Sequence, residues 1–267
     1  METPPLRAKA LGQPRVWIGP RAVSKKAWGS KRALELFFLL LNHPGGLSKP
    51  RIGECLFPEA DEAGRDGLFH STLYRCRRAL EVEVVVWEDD VYRVRDIAEW
   101  EYDVVDFEAL LRRARRIRDG GGKAEELYRE ALDLYGGDYL EGCDSEWCDQ
   151  TRFRLKQLHL EAIVAMAELA AKRGPPEDAL ELYRLAIAED YYCEAAHKGV
   201  VDCLLRMGDR LAAMRHYLEL TERLKQDVPP DERSEIPALV DDMLGRSLRE
   251  VLAANRSVAH GTARVLH

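Results

Sequence analysis

Arg75, Arg77 and Arg78 fall within four positions of one another, in a stretch from Ser71 to Leu80 that contains no acid. Planar guanidiniums beside hydroxyl groups suit the major groove of double-stranded DNA, where arginine bonds guanine O6 and N7 while its neighbours reach phosphate oxygens. The spacing allows it. At about 100° per residue, Phe69, Leu73, Cys76 and Leu80 share one side of a helix, and Ser71, Tyr74, Arg75 and Arg78 share the other. One face can be buried while the other is offered to a partner. The competing reading of any Arg-rich helix is a solvated amphipathic surface. In a chain whose formal net charge is -7, however, a positive face is local and not a reflection of composition.

Such a face needs a fold to present it. With 267 residues, 46% of them hydrophobic and 33% charged, the chain is long enough for two domains and reads as soluble and globular. No apolar run approaches the roughly 18 residues of a membrane span, and the start METPPLRAKA lacks the apolar stretch of a signal peptide. A cytoplasmic protein with no membrane partner is expected. The six cysteines, at 55, 76, 143, 148, 193 and 203, form no CxxC pair. Cys193 with His197, or Cys143 with Cys148, are the conceivable zinc ligands, but neither spacing follows a known ligand motif. Reduced thiols, with no metal and no other cofactor, are the expectation. Charge is uneven: residues 1 to 97 hold 16 Lys+Arg against 13 Asp+Glu, and the remaining 170 hold 24 against 34. A basic head on an acidic body is the arrangement expected if only the head meets nucleic acid.

Residues 6 to 28 alternate short apolar pieces with Gly12, Pro14, Gly19 and Pro20, which predicts short antiparallel strands joined by turns. Ser30 can cap a helix through Leu41, where ALELFFLLL is too apolar for a surface helix and should form the centre of a small domain. Ser48 can cap a second helix, with Pro50 in its first turn and Phe57-Pro58 as its stop. An acidic connection, Glu59 to Glu62, leads to the Arg-bearing third helix, placed at Gly67 to Leu80. Val82 to Val86 and Val91 to Val94, around a turn at Asp89 and Asp90, read as a β-hairpin. Strands, three helices and a closing hairpin describe a winged helix-turn-helix, whose third helix enters the major groove.

From Tyr102 onward helix follows helix. Ala124 to Leu132, AEELYREAL, lies over Ala179 to Ile187, ALELYRLAI, and Gly174, Ala179 and Tyr183 recur 34 residues later as Gly208, Ala213 and Tyr217. A 34-residue period with small residues inside each helix pair is the tetratricopeptide signature. Glu146 to Arg173 reads as one long helix or two joined ones, and Ile236 to Leu252 as a last amphipathic helix. The expected fold class is therefore mainly α. An α+β winged helix-turn-helix over 1–97 precedes an all-α tetratricopeptide-like domain over 98–252, and a mobile tail follows over 253–267.

These motifs together resemble the antibiotic-pathway regulators of actinobacteria and their relatives, the SARP-type regulators that carry a bacterial transcriptional activator domain. The likeness covers about residues 6 to 245. In the head it lies in LYRCRRAL, at the end of the recognition helix of response-regulator DNA-binding domains. In the second half it lies in YDVVDFEALL, in ALDLYGGDYLEG followed by Trp147 and Arg152, and in EAAHKGVVDCLLRMGDRLAAMRHYLELTERL. The resemblance implies a transcription regulator, usually an activator, that binds direct repeats in DNA as a side-by-side pair and contacts RNA polymerase. By position it implies base-facing roles for Ser71 and Arg75, and phosphate contacts at or beside Thr72, Tyr74, Arg77 and Arg78. It also implies a minor-groove role for Arg93 on the wing. Phe57 departs from the family's usual tryptophan, Tyr191 from a common proline, and the short wing has an acidic tip, Glu88-Asp89-Asp90, which phosphate would repel unless it points away.

Two other function classes compete. The acidic wing and acidic larger half would also suit a protein-interaction scaffold, ligand-regulated if a pocket among the repeats used Tyr183, Arg184 and Tyr217. For those residues the plainer reading is repeat core and exposed cation. An enzyme finds least support, because the seven histidines are scattered and no serine sits in an elbow motif.

Overall fold

The computed structural model describes residues 5–95, 100–117, 122–230, 233 and 236–244. The expected 97/98 boundary, the end of the helix placed at Ile236 to Leu252, and the tail over 253–267 lie outside the described residues. Contacts gather the chain into two compact units, Met1–Arg116 with Glu130–His159, and Ile117–Arg129 with Leu160–His267.

In the first unit β1 (Leu6–Lys9), β2 (Arg15–Ile18) and β3 (Arg21–Ala22) form the expected antiparallel strands. The lysines and tryptophan that follow make no strand. Ser24 caps a one-turn helix α1 (Lys25–Trp28), which Gly29 stops at φ 66. Ser30 then caps α2 (Lys31–Leu41), its hydroxyl accepting from the Ala33 N–H at 3.2 Å. Leu36 to Leu40 are at most 1% exposed, so this helix is buried all round, as its composition requires. Each such side chain contributes about 1.5 to 3 kcal/mol on leaving water.

Helix α3 (Lys49–Leu56) is followed by α4 (Glu62–Leu80), which starts five residues before the expected Gly67. The reason is local: the Asp61 carboxylate accepts from the Gly64 N–H at 2.8 Å, and Glu62 lies in the first turn, where the helix dipole favours an acid. The acidic connection is thus partly absorbed as a cap. Strands β4 (Val85–Glu88) and β5 (Val91–Val94) pair around Asp89 and Asp90, both at positive φ (51 and 61), as a two-residue hairpin loop requires. Leu47 joins the hairpin by exchanging backbone hydrogen bonds with Tyr92, at 2.9 and 2.8 Å. Gly46 permits this, since a Cβ there would lie 2.5 Å from Val91 Cγ2.

An unexpected strand, β6 (Trp100–Tyr102), lies parallel to β1 and completes a sheet of order β3-β2-β1-β6. Three residues are too few to show alternation in the sequence. Helix α5 (Asp103–Arg115) follows directly, and the buried Asp103 carboxylate accepts from the Ala10 N–H twice at 2.9 Å and from the Leu11 N–H at 3.0 Å. Burial pushes its carboxyl up, against these backbone donors that favour the ionised form.

Helix α6 (Gly122–Leu134) delivers the segment 136–142 to the same strand end. Gly12 N donates to Asp138 O, Leu140 N to Ala10 O and Glu141 N to Gly12 O. A Cβ on Gly12 would meet the backbone of Gly136 at 3.2 Å, so glycine against glycine sets the approach. A 3₁₀ turn (Glu146–Cys148) and α7 (Asp149–Arg173) realise the expected long helix. Ser145 Oγ donates to Glu35 Oε2 at 2.9 Å and Asn42 Nδ2 to Thr151 Oγ1 at 3.2 Å, so the winged helix shares its compact unit with this segment.

The second unit continues through α8 (Pro176–Glu189), α9 (Glu194–Arg206), α10 (Arg210–Asp227) and α11 (Ile236–Leu244). α8 and α10 begin 34 residues apart, and Ala179 and Ala213, equivalent in the repeat, are fully buried. Tyr183 lies flat on α9, where a Cβ on Gly199 would be 2.3 Å from its ring. His197 Nε2 donates to Tyr191 O at 2.6 Å, which leaves His197 Nδ1 to accept from His216 Nε2 at 2.9 Å. Burial, then the neighbouring His197 and Arg184, hold His216 down to about 4. Tyr191, Arg184 and Glu219 surround the pair.

Two outcomes follow from these contacts. Asp103→Ala leaves two buried N–H groups without an acceptor and is expected to cost about 3 kcal/mol in urea denaturation; a loss within error would deny Asp103 its role at the strand end. The folded His216 takes its proton near 4 and the unfolded one near 6.5. Stability is therefore whole above about 6.5 and falls as pH drops towards 4. Thermal melts of His216→Gln should decline less steeply over that window than wild type, and parallel curves would contradict the linkage.

Candidate nucleic-acid interface

α4 is held at both ends and along one side. Its buried stripe, Phe69, Thr72, Leu73, Cys76, Ala79 and Leu80, faces the core of the first unit. Phe69 meets Tyr92 of the hairpin with ring centroids 4.8 Å apart. At its N-terminal end Arg65 donates to Phe57 O at 3.1 Å and Pro58 O at 3.0 Å, tying the turn from α3. Asp66 is bonded to Lys49, whose ammonium holds that carboxyl below its usual range, and lies 3.6 Å from His70. At its C-terminal end Arg21 Nη2 donates to Leu80 O at 3.0 Å, and Glu81 closes the helix in the left-handed region at φ 61.

The exposed side carries Ser71, Tyr74, Arg75 and Arg78, and Tyr74 is 65% exposed. The stem of Arg75 passes over Gly29, where a Cβ would be 3.8 Å from Arg75 Cδ. Among the described residues neither Arg75 nor Arg78 is paired with a carboxylate. Ser71 Oγ donates back to Leu68 O at 3.0 Å, leaving its lone pairs outward. These four residues, placed together by the periodicity, are brought together by the structure.

The other three candidates have different surroundings. Thr72 is buried, 4% exposed, on the core side of α4. Arg77 is half-buried and its Nε and Nη2 both donate to Val85 O, at 3.2 and 2.9 Å, which ties α4 to the start of the hairpin. Arg93 on β5 is bonded to Glu88 across the hairpin, and this hydrogen bond holds the Glu88 carboxyl below its usual range. A further arginine, Arg95, is exposed just beyond β5, its backbone N–H donating to Val84 O at 2.7 Å. A cleft of about 600 Å³ runs beside α4, lined by His70, Tyr74, Arg77, Arg78, Glu81 and Glu83 among others.

No arrangement of three or more His, Cys, Asp or Glu side chains suited to a metal ion occurs among the described residues. His197 turns to His216 and Tyr191, and the Cys143 and Cys148 sulfurs lie 3.5 Å apart. Tyr183 and Arg184 line different clefts, Tyr183 with Glu168, Lys172, Asp202 and Arg206, and Arg184 with His216 and Glu219. They do not form the single pocket envisaged from the sequence. None of the helices among the described residues is long and apolar enough to cross a membrane.

Residues 102–244, more than half of the chain, match the family model of the bacterial transcriptional activator domain. The chain belongs to this family. The bacterial transcriptional activator domain here runs from the last residue of β6 to the end of α11. The whole chain is similar to the regulatory protein AfsR of Streptomyces coelicolor, 26% identical over 269 residues and covering 98% of this chain but 27% of that protein. It thus spans about a quarter of that relative's length. In fold it is similar to Mycobacterium tuberculosis EmbR, solved in complex with a low affinity phosphopeptide, with a TM-score of 0.72 and 16% identity over 98% of this chain and 70% of that one. The resemblance to SARP-type transcription regulators drawn from the motifs is borne out, as is a mainly helical fold behind an N-terminal winged helix.

The different settings of the arginines have a measurable consequence. Arg77→Ala removes a hydrogen-bonded tie between α4 and the hairpin and is expected to cost about 1 kcal/mol of stability, whereas Arg75→Ala leaves the melting temperature unchanged. Equal melting temperatures for the two variants would mean that Arg77 carries no structural role.

Proposed function

We propose that the chain is a sequence-specific double-stranded DNA-binding activator acting in the cytoplasm. Residues 1–97 read DNA through α4, and residues 98–252 supply pairing on direct repeats and contact with RNA polymerase. The observation that carries this reading is the outward face of α4, where Arg75 and Arg78 have no acidic partner among the described residues and stand beside Ser71 and Tyr74. Arg75 and Ser71 are taken as base-facing, and Arg78 and Tyr74 as phosphate-facing. Thr72 contributes by packing behind that face. Arg77 reaches phosphate only with the guanidinium nitrogen left over from Val85 O. Arg93 enters the minor groove once it leaves Glu88, a step that favours DNA with a narrow, strongly negative groove.

One observation favours a second reading. Trp87, 58% exposed, stands on the hairpin next to the acidic Glu88-Asp89-Asp90 tip, a surface suited to a basic protein partner. It would make the wing a docking element and not a DNA contact.

Mobility-shift titrations over a salt series separate the two. Arg75→Ala is expected to weaken binding to the preferred fragment by about 1 to 3 kcal/mol and to relax base preference. Arg78→Ala should weaken binding to all fragments alike and reduce the salt slope by about 1. If neither substitution changes binding to any double-stranded fragment, α4 is not the reading helix.

A further inference from the structure

Segment 136–148 carries two of the six cysteines close together. Cys148 is buried at the end of the 3₁₀ turn, Cys143 is half-exposed after the Gly142 turn, and their sulfurs are 3.5 Å apart. The Cys148 thiol also lies 2.7 Å from Ser145 O, so its hydrogen can turn to that carbonyl or to Cys143 Sγ. Arg152 sits over both, with Nη2 donating to Cys143 O at 2.7 Å and to Cys148 Sγ at 3.4 Å. The remaining cysteines have no such setting: Cys76 and Cys203 are buried, and Cys55 and Cys193 are half-buried with their thiols pushed up by burial.

We propose that Cys143 and Cys148 form an oxidation site at which hydrogen peroxide closes a disulfide, with Cys143 as the attacking sulfur and Cys148 as the resolving one. The roles follow from access and from charge. Cys143 is the partly exposed residue of the two and Cys148 the buried one, and hydrogen bonding from the Cys148 thiol and the Ser145 N–H holds the Cys143 thiol below its usual range. In the first step the Cys143 thiolate attacks one peroxide oxygen, an S–O bond forms and the O–O bond breaks. The departing hydroxide takes a proton and leaves as water, giving a sulfenic acid. In the second, Cys148 attacks Cys143 Sγ, the S–O bond breaks, and hydroxide leaves as water with the Cys148 proton. Two thiols and one peroxide become one disulfide and two waters. Arg152 faces the negative charge that develops on Cys148 as its proton departs.

The sulfurs must close from 3.5 Å to about 2.05 Å, and Cys148 then has no hydrogen for Ser145 O. Ser145 is where this segment grips the winged helix. Its hydroxyl donates to Glu35 Oε2 at 2.9 Å and accepts from Arg32 Nη1 at 2.5 Å, both in the first turns of α2. Oxidation is therefore felt at α2, within the same compact unit.

Peroxide titration of the reduced full chain at neutral pH, followed by alkylation, trypsin and mass spectrometry, tests the site, because the fragment 130–152 holds both cysteines. The expected result is a fragment lighter by two hydrogens and resistant to alkylation, appearing before any other cysteine reacts. In Cys148→Ser, dimedone should trap a sulfenic acid at Cys143. In Cys143→Ser, Cys148 should stay alkylatable. Oxidation of the other cysteines first, or of Cys143 to a sulfinic acid in the wild type, would overturn the pairing. Faster amide exchange over 32–36 in the oxidised chain is expected, and unchanged exchange there would overturn the link to α2.

Discussion

The carboxylate of Asp103, held out of water at the junction of β6 and α5, fixes where the sheet ends and the helical chain begins. Ala10 and Leu11 point their N–H groups at it from the end of β1, at a place where the sheet offers them no further strand. A buried donor left unmade costs more than a made one gains, so this acid leaves little freedom in how the strand end meets α5. The backbone of Gly12 then reaches the Gly136–Gly137 turn, and 138–141 pair with 10–12. Arg152 binds the far side of that segment through Tyr139 O and Cys143 O. A winged helix and the opening of the activator domain thereby become one unit, held by polar contacts between stretches more than ninety residues apart.

Arginine serves two purposes in that unit, and burial sorts them. Arg21, Arg65, Arg77 and Arg152 end on backbone carbonyls at the end of a helix, in turns or at the start of a strand, and so tie neighbouring stretches of chain together. A guanidinium fork suits this because one group can meet two acceptors without losing its charge. Arg75 and Arg78, one turn apart on the open side of the same helix, are bonded to no carbonyl or carboxylate among the described residues. The positive face is thus smaller than a count of arginines suggests and better defined.

In the second unit the same economy is achieved with size. Gly199 accepts the Tyr183 ring, and Ala179 and Ala213 let neighbouring helices approach. A histidine pair is enclosed as a neutral hydrogen-bonded couple, with one ring donating to a carbonyl and accepting from the other.

The sequence by itself determined whatever depends on near neighbours: the strongly apolar α2, the Ser30 cap, the Asp89-Asp90 turn, the open face of α4, and the 34-residue repeat. These follow from periodicity and backbone preference, which act over a few residues. Only the tertiary structure decided that Thr72 faces inward, that Arg77 is committed to Val85 O and that Arg93 is bonded to Glu88. It also decided that three residues at Trp100 become a strand, and that Cys143 meets Cys148 under Arg152. Arg77 reaches Val85 O because the chain turns back after the left-handed Glu81, and Cys143 reaches Cys148 in the turns that follow the left-handed Leu140. A linear pattern carries the propensity of a side chain to bond, but the acceptor it finds is set by packing.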